Sequence, residues 1–376
     1  MNVLLLSAYD ADSHKRWRKG LVVAFPEWRW TVLTLPPRYF SWRIRGNSLS
    51  WARGELGHTL KQEWDLIIAT SMTDLSALRG LVPEIVGVPT VVYFHENQFA
   101  YPVSSGATQS VEPQLLNIYT ALAGDLLLFN SEYNRHTLIS GAKKLLKRFP
   151  DCVPQGVCQE IEAKSQVLPV PLENSLFDLP EPDPTFSWGR CTEQGCKGEV
   201  SEDTLIISWA ARWEYDKGAD RLLEILQGLR SRKVKFRINL MGQFFRNSPE
   251  EFFRIQREFS GELLVVGYVE SIEIYQKILQ HSHVFLSTAY HEFQGLAVME
   301  AAVAGATPIV PDEQCYPEFY PKSLRYSSRL DAVDKLESLY LLLQEEGGRE
   351  KVDFTYISAE QMWSRYMECF SRLTTF

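Results

Sequence analysis

Short apolar runs alternate with amphipathic stretches twice along this chain, and that alternation is broken once. In the first half, Val3–Leu6, Trp30–Leu35, Asp65–Ala69, Thr90–Phe94 and Asp125–Phe129 each read as a strand ending in a polar loop. His14 to Ala24 and the basic stretch Glu132 to Lys147 read as helices. In the second half, Leu205–Ser208, Phe236–Met241, Leu263–Val266, Val284–Leu286 and Pro308–Val310 repeat the pattern. Helices fill the gaps at Lys217–Arg230, Pro249–Phe259, Ser271–Gln280 and Leu296–Ala304. Strands apolar on both faces and separated by helices predict parallel sheets in α/β layers.

The break falls at residues 169–203, where proline, glycine and charge dominate and no helical period survives. This sets expected boundaries: a first α/β domain over 1–170, a linker or insert over 171–203 and a second α/β domain over 204–357. A C-terminal helix over 358–376 is expected to pack back on the first domain. Two domains suit a chain of 376 residues. Two such sheets bind ligands outside the carboxyl ends of their strands, so the expected architecture is two Rossmann-like domains facing a central cleft. Polar residues gather at those ends: Ser7–His14, His95–Asn97, Asn130–Glu132, Arg212–Lys217, Gly242–Gln243 and Ser287–Gly295.

Charge refines the picture. Lys and Arg total 39 against 47 Asp and Glu, a net charge of −8, which argues against a surface coated in nucleic acid. The balance is uneven. Residues 1–60 hold nine Lys/Arg and four Asp/Glu, a net +5, which leaves −13 on the other 316. Lys143, Lys144, Lys147 and Arg148 add a second basic face. Val3–Leu6 is too short for a secretory core of about 7–15 apolar residues, and no run approaches the roughly 18 of a spanning helix. A soluble cytoplasmic protein is expected. Cys152, Cys158, Cys191 and Cys196 stand at C-x5-C and C-x4-C spacings. They are read as free thiols near a linker, with zinc as the lesser alternative.

The strongest chemical signal lies between Ser287 and Asp312. Glu292 and Glu300 flank Phe293, Gln294, Gly295 and Leu296, and Gly295 stands where a loop turns into a helix. Open amides at a helix start favour phosphate or hydroxyl oxygens. A carboxylate on either side can accept hydrogen bonds from a diol. The pair suits a nucleotide sugar, with ribose at one carboxylate and hexose at the other. Glu300 as a simple helix-dipole charge is the alternative. Upstream, Arg212 and Lys217 precede Gly218 at the next helix start, where two cations would neutralise a diphosphate. A solvated loop pair is the alternative there.

HEFQGLAVMEA with RWEYDKG, an E-x7-E motif preceded by R-x4-K, resembles the retaining GT-B glycosyltransferases of the family 4 type. The resemblance implies roles residue by residue. Glu300 would bind the nucleotide ribose and Glu292 the donor hexose. Arg212 and Lys217 would bind the diphosphate, and Phe293, Gln294, Gly295 and Leu296 would contact sugar and phosphate. Gly242 and Gln243, at another strand end, join this donor set. DADSHKRW, LPPRYFSWRIR, YFHENQFAYP and LLLFNSEYNR narrow the resemblance to the tRNA-queuosine mannosyltransferases. That family implies transfer of mannose from GDP-mannose to the cyclopentenediol of queuosine in tRNA. Retention would come by front-face displacement, with no cofactor and no obligatory metal. One departure is Asp10–Asp12 before Ser13–His14, in place of a glycine-rich turn.

The N-terminal motifs supply the expected acceptor side: Ser13, His14, Lys15, Arg38, Trp42, Arg43, Arg45, Glu96, Asn97 and Gln98. His95 is expected to act in catalysis, by holding a sugar hydroxyl or the acceptor; capping the strand end is its alternative role. Ser131 is expected to cap the helix that follows it. Residues 36–45 interleave cations with rings, the components of RNA binding, or else form an edge strand or loop with inward aromatics. Asp10–Ala11–Asp12 matches a metal motif by letter only and reads as a loop. Two other functions stay open on residues alone. One is a related enzyme using another sugar nucleotide with a glycan, lipid or small-molecule acceptor. The other is a non-catalytic RNA-binding protein on the same scaffold.

Overall fold

A computed structural model describes residues 1–101, 110–188, 200–245, 247–343 and 350–374. The chain divides into two units, Met1–Pro171 with Ala359–Phe376, and Leu172–Ser358. The proline-rich 171–203 stretch begins the second unit; within it 189–199, including Cys191 and Cys196, lies outside the described residues.

The first unit runs β1 (Asn2–Ser7), α1 (Asp12–Ala24), β2 (Arg29–Thr34), α2 (Phe40–Arg53), β3 (Leu66–Thr70), α3 (Leu75–Leu81), β4 (Thr90–Phe94), α4 (Glu112–Ala123), β5 (Leu126–Phe129), α5 (Glu132–Leu146), α6 (Val157–Ala163) and β6 (Ser165–Val167). Its described strands pair in parallel in the order β2-β1-β3-β4-β5-β6. Val3–Leu6, Leu66–Ala69 and Val91–Phe94 are fully buried, because helices cover both faces. Burying each such Leu or Ile side chain contributes about 1.5–3 kcal/mol. The second unit runs β7 (Leu205–Ala210), α7 (Ala219–Ser231), β8 (Phe236–Met241), α8 (Glu250–Glu258), β9 (Leu263–Gly267), α9 (Ile272–Gln280), β10 (Val284–Leu286), α10 (Leu296–Val303), β11 (Thr307–Pro311), α11 (Tyr316–Phe319), β12 (Arg325–Tyr326) and α12 (Arg329–Leu342). Its strand order is β12-β11-β10-β7-β8-β9.

Both orders reverse direction once, between β1 and β3 in the first unit and between β7 and β10 in the second. Loops leaving neighbouring strands in opposite directions open a crevice there, and such switch points are where α/β sheets take ligands.

Residues 36–45 correct one expectation. They form neither an edge strand nor an inward-facing loop, because α2 starts at Phe40 behind a left-handed Tyr39. Its inner face is Ile44, Asn47, Ser48, Trp51 and Ala52, the i, i+3, i+4 rhythm of a helix. Polar residues on that face hide the rhythm. Asn47 Nδ2 donates to the carbonyls of Arg43 (2.7 Å) and Met72 (3.1 Å), and its Oδ1 accepts from the Asp74 amide at 3.0 Å.

The final helix, α13 (Ala359–Thr374), belongs to the first unit. Trp17 Nε1 donates to the Tyr366 hydroxyl at 3.0 Å, and that hydroxyl reaches the Leu168 carbonyl at 3.2 Å. Trp17 also stacks on Tyr93, with centroids 4.2 Å apart. Tyr366→Ala would empty this junction and strand the Trp17 N–H. The expected loss is about 3–5 kcal/mol, read in urea unfolding of the whole chain; a loss under about 1 kcal/mol would mean that α13 is only loosely attached.

Candidate active site

The donor-side residues converge at the switch point of the second unit. Arg212 leaves β7 and pairs with Glu214 at 3.1 Å, with its side chain half exposed. Lys217 ends a short turn and faces inward. Its Nζ lies 3.0 Å from the His291 carbonyl, 3.3 Å from Glu292 Oε2 and 3.2 Å from Asp216 Oδ2. Gly218 is left-handed at φ 68, and a Cβ there would run into the Thr288 carbonyl oxygen. This close approach lets the β7 loop lie against the β10 loop. Thr288 Oγ1 fastens the two, donating to the Lys217 carbonyl at 2.8 Å and accepting from Trp209 Nε1 at 2.9 Å. The amides of Tyr290 and His291 donate to the Asp216 carbonyl at 2.8 and 3.2 Å.

Glu292 follows directly. Its Oε1 accepts from the Phe293 amide at 3.1 Å. Burial alone would raise its carboxyl, but Lys217, the Phe293 amide and His291 together hold it below the usual carboxylate range. For Lys217, burial pulls down and the charges of Glu292 and Asp216 pull up more strongly, so its ammonium is held above the ordinary lysine value. The pair is therefore ionised at neutral pH. Nearby Arg212 is close enough to oppose the Lys217 charge. Two cations thus gather at the strand end, each already paired with a carboxylate: Arg212 with Glu214, and Lys217 with Glu292 and Asp216.

Gly295, at φ 77, is the N-cap of α10, and no side chain caps the helix start. The Val298 and Met299 amides donate to the Gly295 carbonyl at 3.0 and 3.1 Å, and amides at an uncapped helix start can serve an anionic oxygen. Phe293 and Gln294 are buried beneath it, and Leu296 opens the helix. Glu300, one turn further, is 7% exposed and accepts from the Tyr275 hydroxyl at 3.0 Å. A pit of about 40 Å³ runs between Lys217, Glu292, Gly295 and Tyr316. Gly242 closes β8, donating its amide to the Gly267 carbonyl at 2.9 Å, and the Gln243 carbonyl accepts from the Trp213 amide at 2.9 Å.

The expected acceptor-side residues and His95 belong to the first unit. His14 of α1 stacks on His95 at 4.1 Å, and Trp17 meets His95 edge-on at 5.0 Å. Burial, then the neighbouring His14, hold the His95 imidazole well below its ordinary value, so it is neutral at physiological pH. Its buried Nε2 has no hydrogen-bond partner among the described residues. Ser7 Oγ and Thr70 Oγ1, on paired strands at the β1/β3 switch point, are equally buried and unpartnered among those residues. Sequence reasoning had no signal for Ser7 or Thr70 beyond their position at strand ends.

The other expected residues separate by burial. Ser13 and Lys15 are exposed on the first turn of α1. Arg38, 5.6 Å over the Tyr39 ring, and Trp42 are exposed ahead of and on α2. Arg43 is buried, and Arg45 pairs with Asp74 at 2.9 Å. Glu96 accepts from the Tyr101 hydroxyl at 3.1 Å. Asn97 is turned into the protein, where its Nδ2 donates to Asn134 Oδ1 (2.9 Å) and Thr137 Oγ1 (2.8 Å). The Gln98 amide donates to Asn117 Oδ1 at 2.7 Å. Ser131 caps α5 through the Asn134 amide at 3.0 Å. Among the described residues no three His, Cys, Asp or Glu side chains converge as for a metal, and no helix is long and apolar enough to cross a membrane. The zinc question turns on Cys191 and Cys196, outside those residues.

The comparisons with known proteins divide at the same place as the fold. Residues 2–172 match the family described as tRNA-queuosine alpha-mannosyltransferase N-terminal, and residues 193–320 match glycosyl transferases group 1. A tRNA-queuosine alpha-mannosyltransferase of Drosophila melanogaster is 29% identical over 99% of this chain and 97% of its own. Among solved structures, Anabaena HepE in complex with UDP-glucose superposes with a TM-score of 0.66 at 12% identity, covering 99% of this chain and 100% of that one. Sucrose-phosphate synthase from Thermosynechococcus elongatus gives a TM-score of 0.64 at 13% identity, with the same coverage. These likenesses establish the two-domain α/β architecture of GT-B glycosyltransferases. Both halves are matched and the full-length relative aligns end to end, so the chain is similar over its whole length to the tRNA-queuosine alpha-mannosyltransferases.

Proposed function

We propose that this protein transfers mannose from GDP-mannose to a hydroxyl of the queuosine cyclopentenediol in tRNA, with retention at the anomeric carbon and without a metal. The observation that carries the reading is the meeting of Lys217, Arg212 and the uncapped start of α10 between two carboxylates, in a chain similar to these transferases. The donor diphosphate fits the two cations and the α10 amides. The ribose diol fits Glu300, and the hexose hydroxyls fit Glu292. The reading places the enzyme in the cytoplasm with its tRNA.

In the reaction, the acceptor oxygen bonds to the anomeric carbon while the bond from that carbon to the β-phosphate oxygen breaks. The acceptor proton passes to the leaving phosphate oxygen on the same face. The chain then needs no carboxylate nucleophile. Its work is to stabilise the charge growing on the diphosphate and to hold the acceptor in line. Arg212, Lys217 and the α10 amides do the first, which is the work a divalent cation does in other transferases. Neutral His95 can donate to or accept from a hydroxyl, which suits it to orienting a polyol.

Incubation with GDP-mannose and queuosine-containing tRNA, followed by nucleoside mass analysis, should give a hexose added to queuosine and an unchanged rate in EDTA. Unmodified queuosine with another sugar nucleotide active would overturn the donor, and a rate lost in EDTA would overturn metal independence. Glu292→Ala should abolish transfer and leave tRNA binding intact; equal loss of both would make Glu292 a structural residue only. Because burial keeps His95 neutral, the rate should not fall as pH drops through about 6.5, the ordinary histidine value. A fall centred there that disappears in His95→Asn would contradict this role.

A further inference from the structure

Four cations at the end of α5 are left over from the site described above. Lys143, Lys144, Lys147 and Arg148 are all exposed, and among the described residues no carboxylate lies within 4.0 Å of any of them. Many other cations in this acidic chain are paired, among them Arg18 with Asp10, Arg79 with Asp125, Arg232 with Asp334 and Arg329 with Asp220. Even beside the cluster, the acids of α6 are engaged with other cations, Glu160 with Lys164 at 3.6 Å and Glu162 with Arg135 at 3.9 Å. The cluster borders a groove of about 490 Å³ between α5 and the start of α6. Lys143, Lys147, Phe149, Pro154 and Gly156 are among the residues lining it, and Phe149 is exposed.

The place of this cluster matters. Ser131 caps α5 at the carboxyl end of the first sheet, near His95, whose carbonyl accepts from Asn130 at 2.9 Å. Fifteen residues at about 1.5 Å each put the cations roughly 22 Å away, at the opposite end of the same unit. A free nucleoside held at the carboxyl end could not touch both. A folded RNA could.

We propose that the α5 cluster and its groove dock the phosphate backbone of the acceptor tRNA, away from the modified base. Unpaired cations beside a groove with an exposed ring give phosphate contacts and a stacking surface, the two components of RNA binding without sequence readout. The exposed side of α5 offers no apolar stripe to bury in a bilayer, so a membrane fits it poorly. Cations near a helix C-terminus also favour its dipole, but by only about 0.3–1 kcal/mol and mostly from the last turn. This inference rests on the proposed acceptor.

The test is the variant Lys143→Ala/Lys144→Ala/Lys147→Ala/Arg148→Ala, with Lys144→Glu as a lighter change. For tRNA, KM should rise about 10-fold or more with kcat within about 2-fold, and the slope of log KM against log salt should fall by about 3, from roughly 0.7–0.9 for each of four phosphate contacts. GDP binding and thermal midpoint should be unchanged. An unchanged KM would overturn the inference, whether or not the midpoint drops. So would unchanged KM with lost binding to anionic phosphatidylserine vesicles, which would make this face a membrane contact. Wild-type protein that binds no tRNA would instead overturn the proposed acceptor itself.

Discussion

The second unit is organised around one partly buried ion pair, Lys217 with Glu292 at 3.3 Å. Burial penalises both charges, so the pair persists only because other groups share the cost. Asp216 and the His291 carbonyl steady the ammonium, and the Phe293 amide steadies the carboxylate. Those partners lie on two loops, one leaving β7 and one leaving β10, and the pair holds the loops together across the switch point. Gly218 makes their approach possible by having no side chain. The same contact fixes where the β10 loop turns at Gly295 and therefore where the α10 amides open. Removing one partner of a fully buried pair typically costs about 3–5 kcal/mol; here the cost is smaller, because both side chains are only partly buried and water reaches the charge left behind. The depressed carboxyl means that this contribution is present above the usual carboxylate range and is lost as pH falls through the folded value of Glu292.

The first unit solves a different problem. Its switch point is lined by His95, held neutral by burial and stacked on His14, and by the Ser7 and Thr70 hydroxyls. Exposed cations stand apart from it, Arg38 and Arg45 around α2 and four more at the far end of α5, while Arg43 is buried. Neutral hydrogen-bonding groups suit a cyclopentenediol, and exposed cations suit a phosphate backbone. The excess positive charge over residues 1–60 is thus surface charge, while the sheet beneath it is apolar.

The strands and the donor loop were legible because their physics is local. An apolar run such as Thr90–Phe94 announces a buried strand, and Gly295 between two glutamates announces a helix start. Helix α2 was not legible, because its buried face carries Asn47 and Ser48, whose amide and hydroxyl read as solvent-facing. Helices α3, α4 and α12 also went unread, and β6 and β12 are too short to announce themselves. Asn97 read as a ligand because it follows a strand, yet its amide bridges to α5, 37 residues on. Tyr275 was missed for the same reason, since folding alone brings it to Glu300, whereas Asp216 stands next to Lys217 in the sequence and was passed over as a loop residue.

The central claim is that Lys217 and Glu292 act as one unit in shaping the diphosphate and sugar subsites. A double-mutant cycle with Lys217→Met and Glu292→Gln, read as GDP-mannose affinity by calorimetry, tests it directly. Coupled groups give an interaction energy within about 0.5–3 kcal/mol, so the double variant binds more tightly than the sum of the single losses allows. Additive losses, with coupling near zero, would show two independent residues and contradict the account.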